Sequence, residues 1–259
     1  MQPLLECKNV TYAYHTTTGE IPALKDISFQ VEDGEFVAIV GPSGCGKSTL
    51  LSLMCRLLEP EEGSIFINGR LLGEHEEFHI GYMPQKDQLF EWRNIYGNVT
   101  LGLEIQHKMT EENQAYAQKL MKEYGLWAFR HVKPSQLSGG MRQRAALIRT
   151  LVLKPELLLL DEPFSALDYQ TRLTVSDDIH RILKKEHKTA ILVTHDLSEA
   201  VSMADKVLVL SSRPAQVIAE VPIDLELPDR TPLKSRNAPR FKEYFNQIWK
   251  ELNEYEAIS

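Results

Sequence analysis

Gly41-Pro42-Ser43-Gly44-Cys45-Gly46-Lys47-Ser48-Thr49 is the stretch from which the fold is read. It follows the apolar run Phe36-Val37-Ala38-Ile39-Val40, which predicts a buried strand, and precedes Leu50-Leu51-Ser52-Leu53-Met54, which predicts the first turns of a helix. A strand, a glycine-rich turn and a helix make an anion cradle. Without Cβ atoms the loop N–H groups can converge on phosphate oxygens, and the helix N-terminus adds its positive dipole end. In such a loop Lys47 reaches the β- and γ-phosphates and Ser48 offers its hydroxyl to magnesium. A plain glycine turn capping an ordinary helix is the competing reading. The placing of Gly41, Gly44 and Gly46 ahead of Lys47 weighs against it.

Further along, Leu157-Leu158-Leu159-Leu160 predicts a strand buried on both faces, as in the centre of a parallel sheet. Asp161 and Glu162 follow at its C-terminal end, where open α/β sheets hold their ligands. Asp161 is the candidate for holding magnesium, and Glu162 for poising a water against the γ-phosphate. Thr189-Ala190-Ile191-Leu192-Val193-Thr194 repeats the design, with His195 at its end in reach of a γ-phosphate oxygen or of Glu162. Ile80-Gly81-Tyr82-Met83 predicts a strand stopped by Pro84, with the amide of Gln85 just beyond it. Ser138-Gly139-Gly140 opens a predicted helix that runs to residue 153, a second N-terminus suited to an anion.

Around this core the N-terminal part predicts short antiparallel strands over 4–10 and 23–31, and a strand over 63–67 ending in an Asn68-Gly69 hairpin turn. Tyr12 and Tyr14 are equal candidates by chemistry for stacking on an adenine. Residues 86–133 change pattern to helical spacing, with a helix over 109–124 that has Thr110 as N-cap and Glu111-Glu112 in its first turn. Strands over 206–210 and 216–221 close the core. Beyond Pro222 the chain is punctuated by prolines and then predicts a helix over 239–255, whose stripe of Phe241, Tyr244, Phe245, Ile248, Trp249 and Leu252 is expected to pack on the body.

Composition limits the functions available. The chain has 259 residues, 43% hydrophobic and 25% charged, enough to bury a core without cross-links. A formal net charge of −7 without a dense Lys/Arg block argues against a nucleic-acid footprint. Cys7, Cys45 and Cys55 lack metal-ligand spacing and are expected as reduced thiols of a cytosolic protein; Cys45 is either a thiol whose alkylation would block nucleotide or simply a small residue in a tight turn. The first residues show no basic-then-apolar signal pattern, and no apolar run approaches the roughly 18 residues of a membrane span. Any role at a membrane is therefore expected through a partner.

With these elements in order, the chain resembles the ATP-binding subunit of ATP-binding-cassette transporters over nearly its whole length. Residues 41–49 match the Walker A loop, Gln85 the Q-loop glutamine, Leu137-Ser138-Gly139-Gly140 the signature motif, and 157–161 the Walker B strand. Glu162 falls at the catalytic glutamate, Ser165-Ala166-Leu167-Asp168 at the D-loop and His195 at the switch histidine. Met141 stands where many members have glutamine. Residues 85–93 with Asn98-Val99, and 193–196 with Glu199-Ala200, are similar to the importer branch serving nitrate, sulfonate, taurine and related solutes.

The resemblance implies a P-loop NTPase core with a mixed central sheet, an N-terminal antiparallel β-subdomain and an inserted helical subdomain. Its boundaries are expected at 1–85 and 141–222 for the core, 86–140 for the helical signature part and 223–259 for a C-terminal extension. It places Tyr14, rather than Tyr12, on the adenine. It implies ATP and Mg2+ as ligands, with Ser48, Gln85 and Asp161 toward the metal, and Lys47, Gln85, Glu162 and His195 in hydrolysis. Each nucleotide is expected between the 41–49 loop of one copy and Ser138, Gly139, Gly140 and Asp168 of another. The implied partners are a second cassette, integral-membrane permease subunits and, through them, a solute-binding protein, on the cytoplasmic face of the membrane and without nucleic acid. A soluble cassette ATPase acting on nucleic acid or the ribosome is the alternative, and a nucleotide-gated binding module without useful hydrolysis a third. Leu89, Phe90 and Trp92 are the expected docking residues.

Overall fold

The computed structural model describes residues 2–17, 19–74 and 78–256. Two sheets share the chain. The first is antiparallel, in the order β2-β1-β4-β5, from β1 (Leu5–Thr16), β2 (Gly19–Val31), β4 (Glu62–Ile67) and β5 (Arg70–Leu71). The second has the order β10-β9-β3-β8-β7-β6, from β3 (Phe36–Val40), β6 (Ile80–Met83), β7 (Leu157–Asp161), β8 (Thr189–Val193), β9 (Lys206–Leu210) and β10 (Val217–Pro222). Its strands β9, β3, β8, β7 and β6 are parallel, and β10 closes one edge antiparallel.

Period-2 side chains split the core into two layers on either face of the parallel sheet. Phe36, Ala38 and Val40 of β3, Leu158 and Leu160 of β7, and Ala190 and Leu192 of β8 point into one buried cluster. Val37 and Ile39, Leu157 and Leu159, and Ile191 and Val193 point into the other. The second layer is covered by α1 (Lys47–Met54) and the antiparallel sheet. The first is covered by the remaining helices: α2 (Ile95–Val99), α3 (Leu101–Ile105), α4 (Glu111–Glu123), α5 (Gly139–Leu151), α6 (Tyr169–Lys185), α7 (Leu197–Met203), α8 (Pro232–Ser235) and α9 (Phe241–Glu256). The inserted helical segment shares this layer, since Ile95, Val99, Leu120 and Met121 belong to the same cluster as the sheet residues.

Most predicted elements are present, with corrections at their ends. Strand β1 runs past residue 10 to Thr16, and β2 begins at Gly19 rather than 23. Asn9 at φ 50 and register shifts between Cys7 and Val10 break the alternation that marks a strand in sequence. Helix α4 is capped as expected, Thr110 Oγ1 accepting the Asn113 amide at 3.3 Å. Helix α5 ends at Leu151, two residues short of the expected end. On α9, Ile248 is fully buried, and Phe241, Tyr244, Phe245 and Leu252 pack on the core. Trp249 does not: it is 56% exposed and stacks on Phe245 at 6.4 Å, because it lies one position off the stripe set by Ile248. The final residues of the expected extension, 257–259, lie outside the described residues.

One buried group makes stability depend on pH. His180 on α6 is 7% exposed, and burial, with the charges of Arg230 and Lys184, pushes its imidazole down to about 4, against the pull of Asp205 and Asp177. The ring is therefore neutral in the fold, while the unfolded chain takes up a proton below 6.5. Stability is expected to fall as pH drops from about 6.5 towards 4, by up to about 3 kcal/mol. Denaturant midpoints of wild type and His180→Gln measured across this range check it. Parallel curves for the two proteins would refute it.

Candidate active site

The 41–49 loop closes as the sequence predicts. Gly46, at φ 128, caps α1, and a Cβ there would come within 2.9 Å of Leu24 Cδ2 and 3.0 Å of the Ala23 carbonyl of β2. Both its backbone and its packing therefore require glycine. Lys47 is 7% exposed and folded back on the loop, donating Nζ–H to the Gly41 and Pro42 carbonyls at 2.8 Å each. A cleft of about 580 Å3 opens over this loop, lined by Ser43, Gly44, Gly46, Lys47, Ser48, Thr49, Glu162 and His195.

The ends of β6, β7 and β8 deliver the polar groups to this cleft. Ser48 donates its hydroxyl to Asp161 Oδ1 at 3.3 Å, and Tyr82 donates to Oδ2 at 3.2 Å. Burial pushes the Asp161 carboxyl up, with Glu162 adding to the shift, while the Ser48 and Tyr82 hydrogen bonds and the Lys47 charge hold it down. Glu162 stands one residue beyond β7 at φ 44, its N–H donating to the Val193 carbonyl of β8 at 2.9 Å. Its Oε2 accepts from Gln85 Nε2 at 3.2 Å and lies 3.1 Å from His195 Nδ1. Gln85 also reaches Ser165 Oγ at 3.4 Å. Three side chains predicted from separate parts of the sequence, Gln85, Glu162 and His195, thus meet at one point.

Tyr14 and Tyr12 part company in the structure. Tyr14 OH lies 3.0 Å from Thr49 Oγ1 and the residue is 38% exposed, whereas Tyr12 meets it edge-on at 5.1 Å and packs against the second core layer. Cys45 is buried and its thiol is pushed up by that burial, so it is a poor nucleophile for alkylation.

Ser138, Gly139, Gly140 and Asp168 are not among the residues lining the cleft. Ser138 caps α5 by accepting the Met141 amide at 3.3 Å. A Cβ at Gly140 would come to 2.7 Å from Val175 Cγ2, and one at Gly139 to 2.9 Å from Leu167 Cδ2, so both glycines let α5 start flush against α6 and the 165–168 segment. Asp168 caps α6, taking the Thr171 amide at 3.0 Å and its hydroxyl at 2.6 Å, bonds that hold the carboxyl below its ordinary range. Within one copy, then, the signature end does not line the phosphate-loop cleft.

The sequence alone does not mark Tyr82 as a site residue, and it places Ser165 only in the D-loop match. Tyr82 has a signal in hindsight, a hydroxyl at the end of an apolar strand beside the Walker B strand. Leu89 was expected at a docking surface but is buried. Trp92 is 74% exposed and stacks on Phe90 at 4.6 Å. The loop that carries them is clamped by the buried Asn98, which accepts the Phe90 amide at 2.6 Å and donates to the Phe90 and Asn94 carbonyls at 3.0 Å.

This fold and cleft define a cassette ATPase of the P-loop class. The sequence profile of the ABC transporter family matches residues 24–165. The chain is 47% identical to the ABC transporter ATP-binding protein YtlC of Bacillus subtilis, covering 97% of this chain and 96% of that one. It is 36% identical to the aliphatic sulfonates import ATP-binding protein SsuB of Bacillus licheniformis, over 91% of this chain and 89% of that one. The dimeric ATP-binding cassette MJ0796, in a post-hydrolysis state bound to ADP and Pi, superposes with a TM-score of 0.72 at 30% identity, covering 85% of this chain and 99% of that chain. The chain belongs to the ABC transporter family, as its ATP-binding and ATP-hydrolysing cassette.

Proposed function

We propose that this cassette energises the import of a small solute of the nitrate, sulfonate or taurine kind, working as one of two copies docked on integral-membrane permease subunits at the cytoplasmic face. Among the described residues no helix is long and apolar enough to cross a membrane, so the translocation path belongs to the permease. A solute-binding protein delivers the substrate from the other side. The core spans 1–85 and 141–222, the helical signature part 86–140 and the C-terminal extension 223–259. Trp92 on Phe90, presented by the Asn98 clamp, is the apolar knob offered to the permease. The likeness to SsuB and the resemblance of residues 85–93 to that branch support the substrate class.

The meeting of Gln85, Glu162 and His195 at the mouth of the phosphate-loop cleft carries the catalytic reading. The loop from Gly41 to Thr49 cradles the phosphates, Lys47 turns from its carbonyl partners to the β- and γ-phosphates, and Tyr14 stacks on adenine. Glu162 orients and deprotonates the attacking water, and His195 holds the Glu162 carboxylate in place from Nδ1. Ser48 hydroxyl, Asp161 carboxylate and the Gln85 amide are hard oxygen donors that fit Mg2+. Such an ion is commonly held by one or two carboxylates plus substrate phosphates. When bound, the ion neutralises charge building on the phosphoryl oxygens.

Because Ser138, Gly139, Gly140 and Asp168 do not line their own cleft, they are assigned to the nucleotide of the second copy. The experiment is the steady-state ATPase rate against protein concentration with magnesium present. A rate per cassette that climbs with concentration is expected. Turnover strictly proportional to protein at every concentration would contradict the shared site.

A further inference from the structure

The turn that carries His195 is built as a unit with α7. Thr194, buried, donates its hydroxyl to Glu199 Oε2 at 2.6 Å and accepts the Asp196 amide at 3.0 Å. Asp196 Oδ1 in turn caps α7, accepting the Ser198 and Glu199 amides at 2.8 and 3.3 Å. These bonds shape the turn, and the Thr194 amide, donating to the Ile39 carbonyl of β3 at 3.2 Å, roots it on the sheet; holding it against the 165–168 segment is a second task.

That second task falls to Arg172, in the first turn of α6. Its Nη2 donates to the Leu167 carbonyl at 3.3 Å, while its Nη1 lies 3.4 Å from Asp196 Oδ2 and its Nε 3.7 Å from Glu199 Oε1. One planar guanidinium therefore hydrogen-bonds the 165–168 segment on one side and Asp196 of the His195 turn on the other, with Glu199 in ion-pair range, a task suited to a rigid fork rather than a point charge. The chain of contact extends further. Leu167 rests against Gly139 so closely that a Cβ there would come to 2.9 Å, and Ser165 accepts from Gln85, which itself bonds Glu162. The start of α5, the 165–168 segment and the His195 turn are thus linked through Arg172, outside the cleft itself.

We propose that Arg172 is a positioning residue for ATP hydrolysis: it ties the 165–168 segment to the turn of His195, so that His195 is held at Glu162 only while that segment is in place. This rests on the roles proposed above for Glu162 and His195. Arg172 touches none of the loop that cradles phosphate, so its loss acts on turnover and leaves ATP binding alone. Displacement by about 1 Å of a group that must meet a reacting oxygen costs on the order of a hundredfold.

The test is a double-mutant cycle on ATPase activity of the full chain, with Arg172→Met and His195→Ala singly and together. Arg172→Met is expected to lower kcat by about tenfold or more, with KM for ATP within about twofold of wild type. In the His195→Ala background the same replacement is expected to change kcat by less than about twofold, because the residue it positions is gone. A merely structural role would instead multiply the two losses, and that outcome overturns the proposal alone. Wild-type turnover from His195→Ala would overturn the reading of the site and this inference with it. Arg172→Lys keeps a charge beside Asp196 but cannot hold the Leu167 carbonyl as well. It guards against a Met variant that fails to fold and is expected to stay low in kcat, so full recovery of turnover by Lys would also refute the linkage.

Discussion

Glu162→Gln is expected to abolish turnover, by about a hundredfold or more, while ATP still binds and the two-cassette complex accumulates. The replacement is isosteric, and the amide oxygen can still accept from Gln85 Nε2, now 3.2 Å from Oε2. Glutamine is no more strained than glutamate at φ 44, so the backbone that places the group is kept. What is lost is the base: an amide cannot take the proton from the attacking water. The cleft also loses a negative charge beside the γ-phosphate position, which favours the nucleotide-bound form. ATPase assays paired with size-exclusion chromatography in MgATP read both effects. Turnover near wild type would remove Glu162 from the role of base, and loss of ATP binding would make it a structural residue.

Lys47→Ala should strike the earlier step. The Lys47 ammonium donates to the carbonyls of Gly41 and Pro42, inside the loop itself. Hydrogen bonds to charged groups contribute about 1.5–3 kcal/mol each, so two lost phosphate contacts lower ATP affinity by about a hundredfold or more. The fold is expected to lose about 1–3 kcal/mol, because the loop carbonyls of Gly41 and Pro42 lose a donor and the first of these bonds is buried. Titration with a fluorescent nucleotide, alongside thermal unfolding without nucleotide, separates the two. An affinity within about threefold of wild type would show that the loop amides alone hold the phosphates.

The cleft was largely legible because its chemistry sits at strand ends. Lys47, Asp161, Glu162 and His195 each follow an apolar run that can only be a buried strand, and parallel strands place their C-terminal ends together. The contacts among them were not legible. That Gln85 would meet Glu162 depends on β6 pairing with β7 in the register Met83 opposite Leu160, and nothing local to Gln85 encodes it. Nothing local to Arg172 sets it apart from other helix charges, and only the tertiary placing of Leu167 and Asp196 gives it partners. Trp249 was misplaced because i, i+4 spacing from Phe245 looks as good as the spacing of Ile248, and a helix face is wider than the surface it covers. For Cys45, sequence shows that a thiol lies in the loop but not that it is buried there.

Glu162 and His195 belong to the ends of neighbouring strands, Asp161 standing opposite Val193, and the Glu162 amide carries the β7–β8 ladder one step past the sheet. Their separation is therefore graduated like a ruler, in steps of about 4.8 Å across strands and about 3.3 Å along them. Bending a six-stranded sheet buried on both faces to alter that spacing would open both core layers at once. The two marks can drift only by turning their side chains. Whatever starts and stops the motor must then be brought up to the edge of the sheet from outside, leaving the ruler itself unchanged through every cycle.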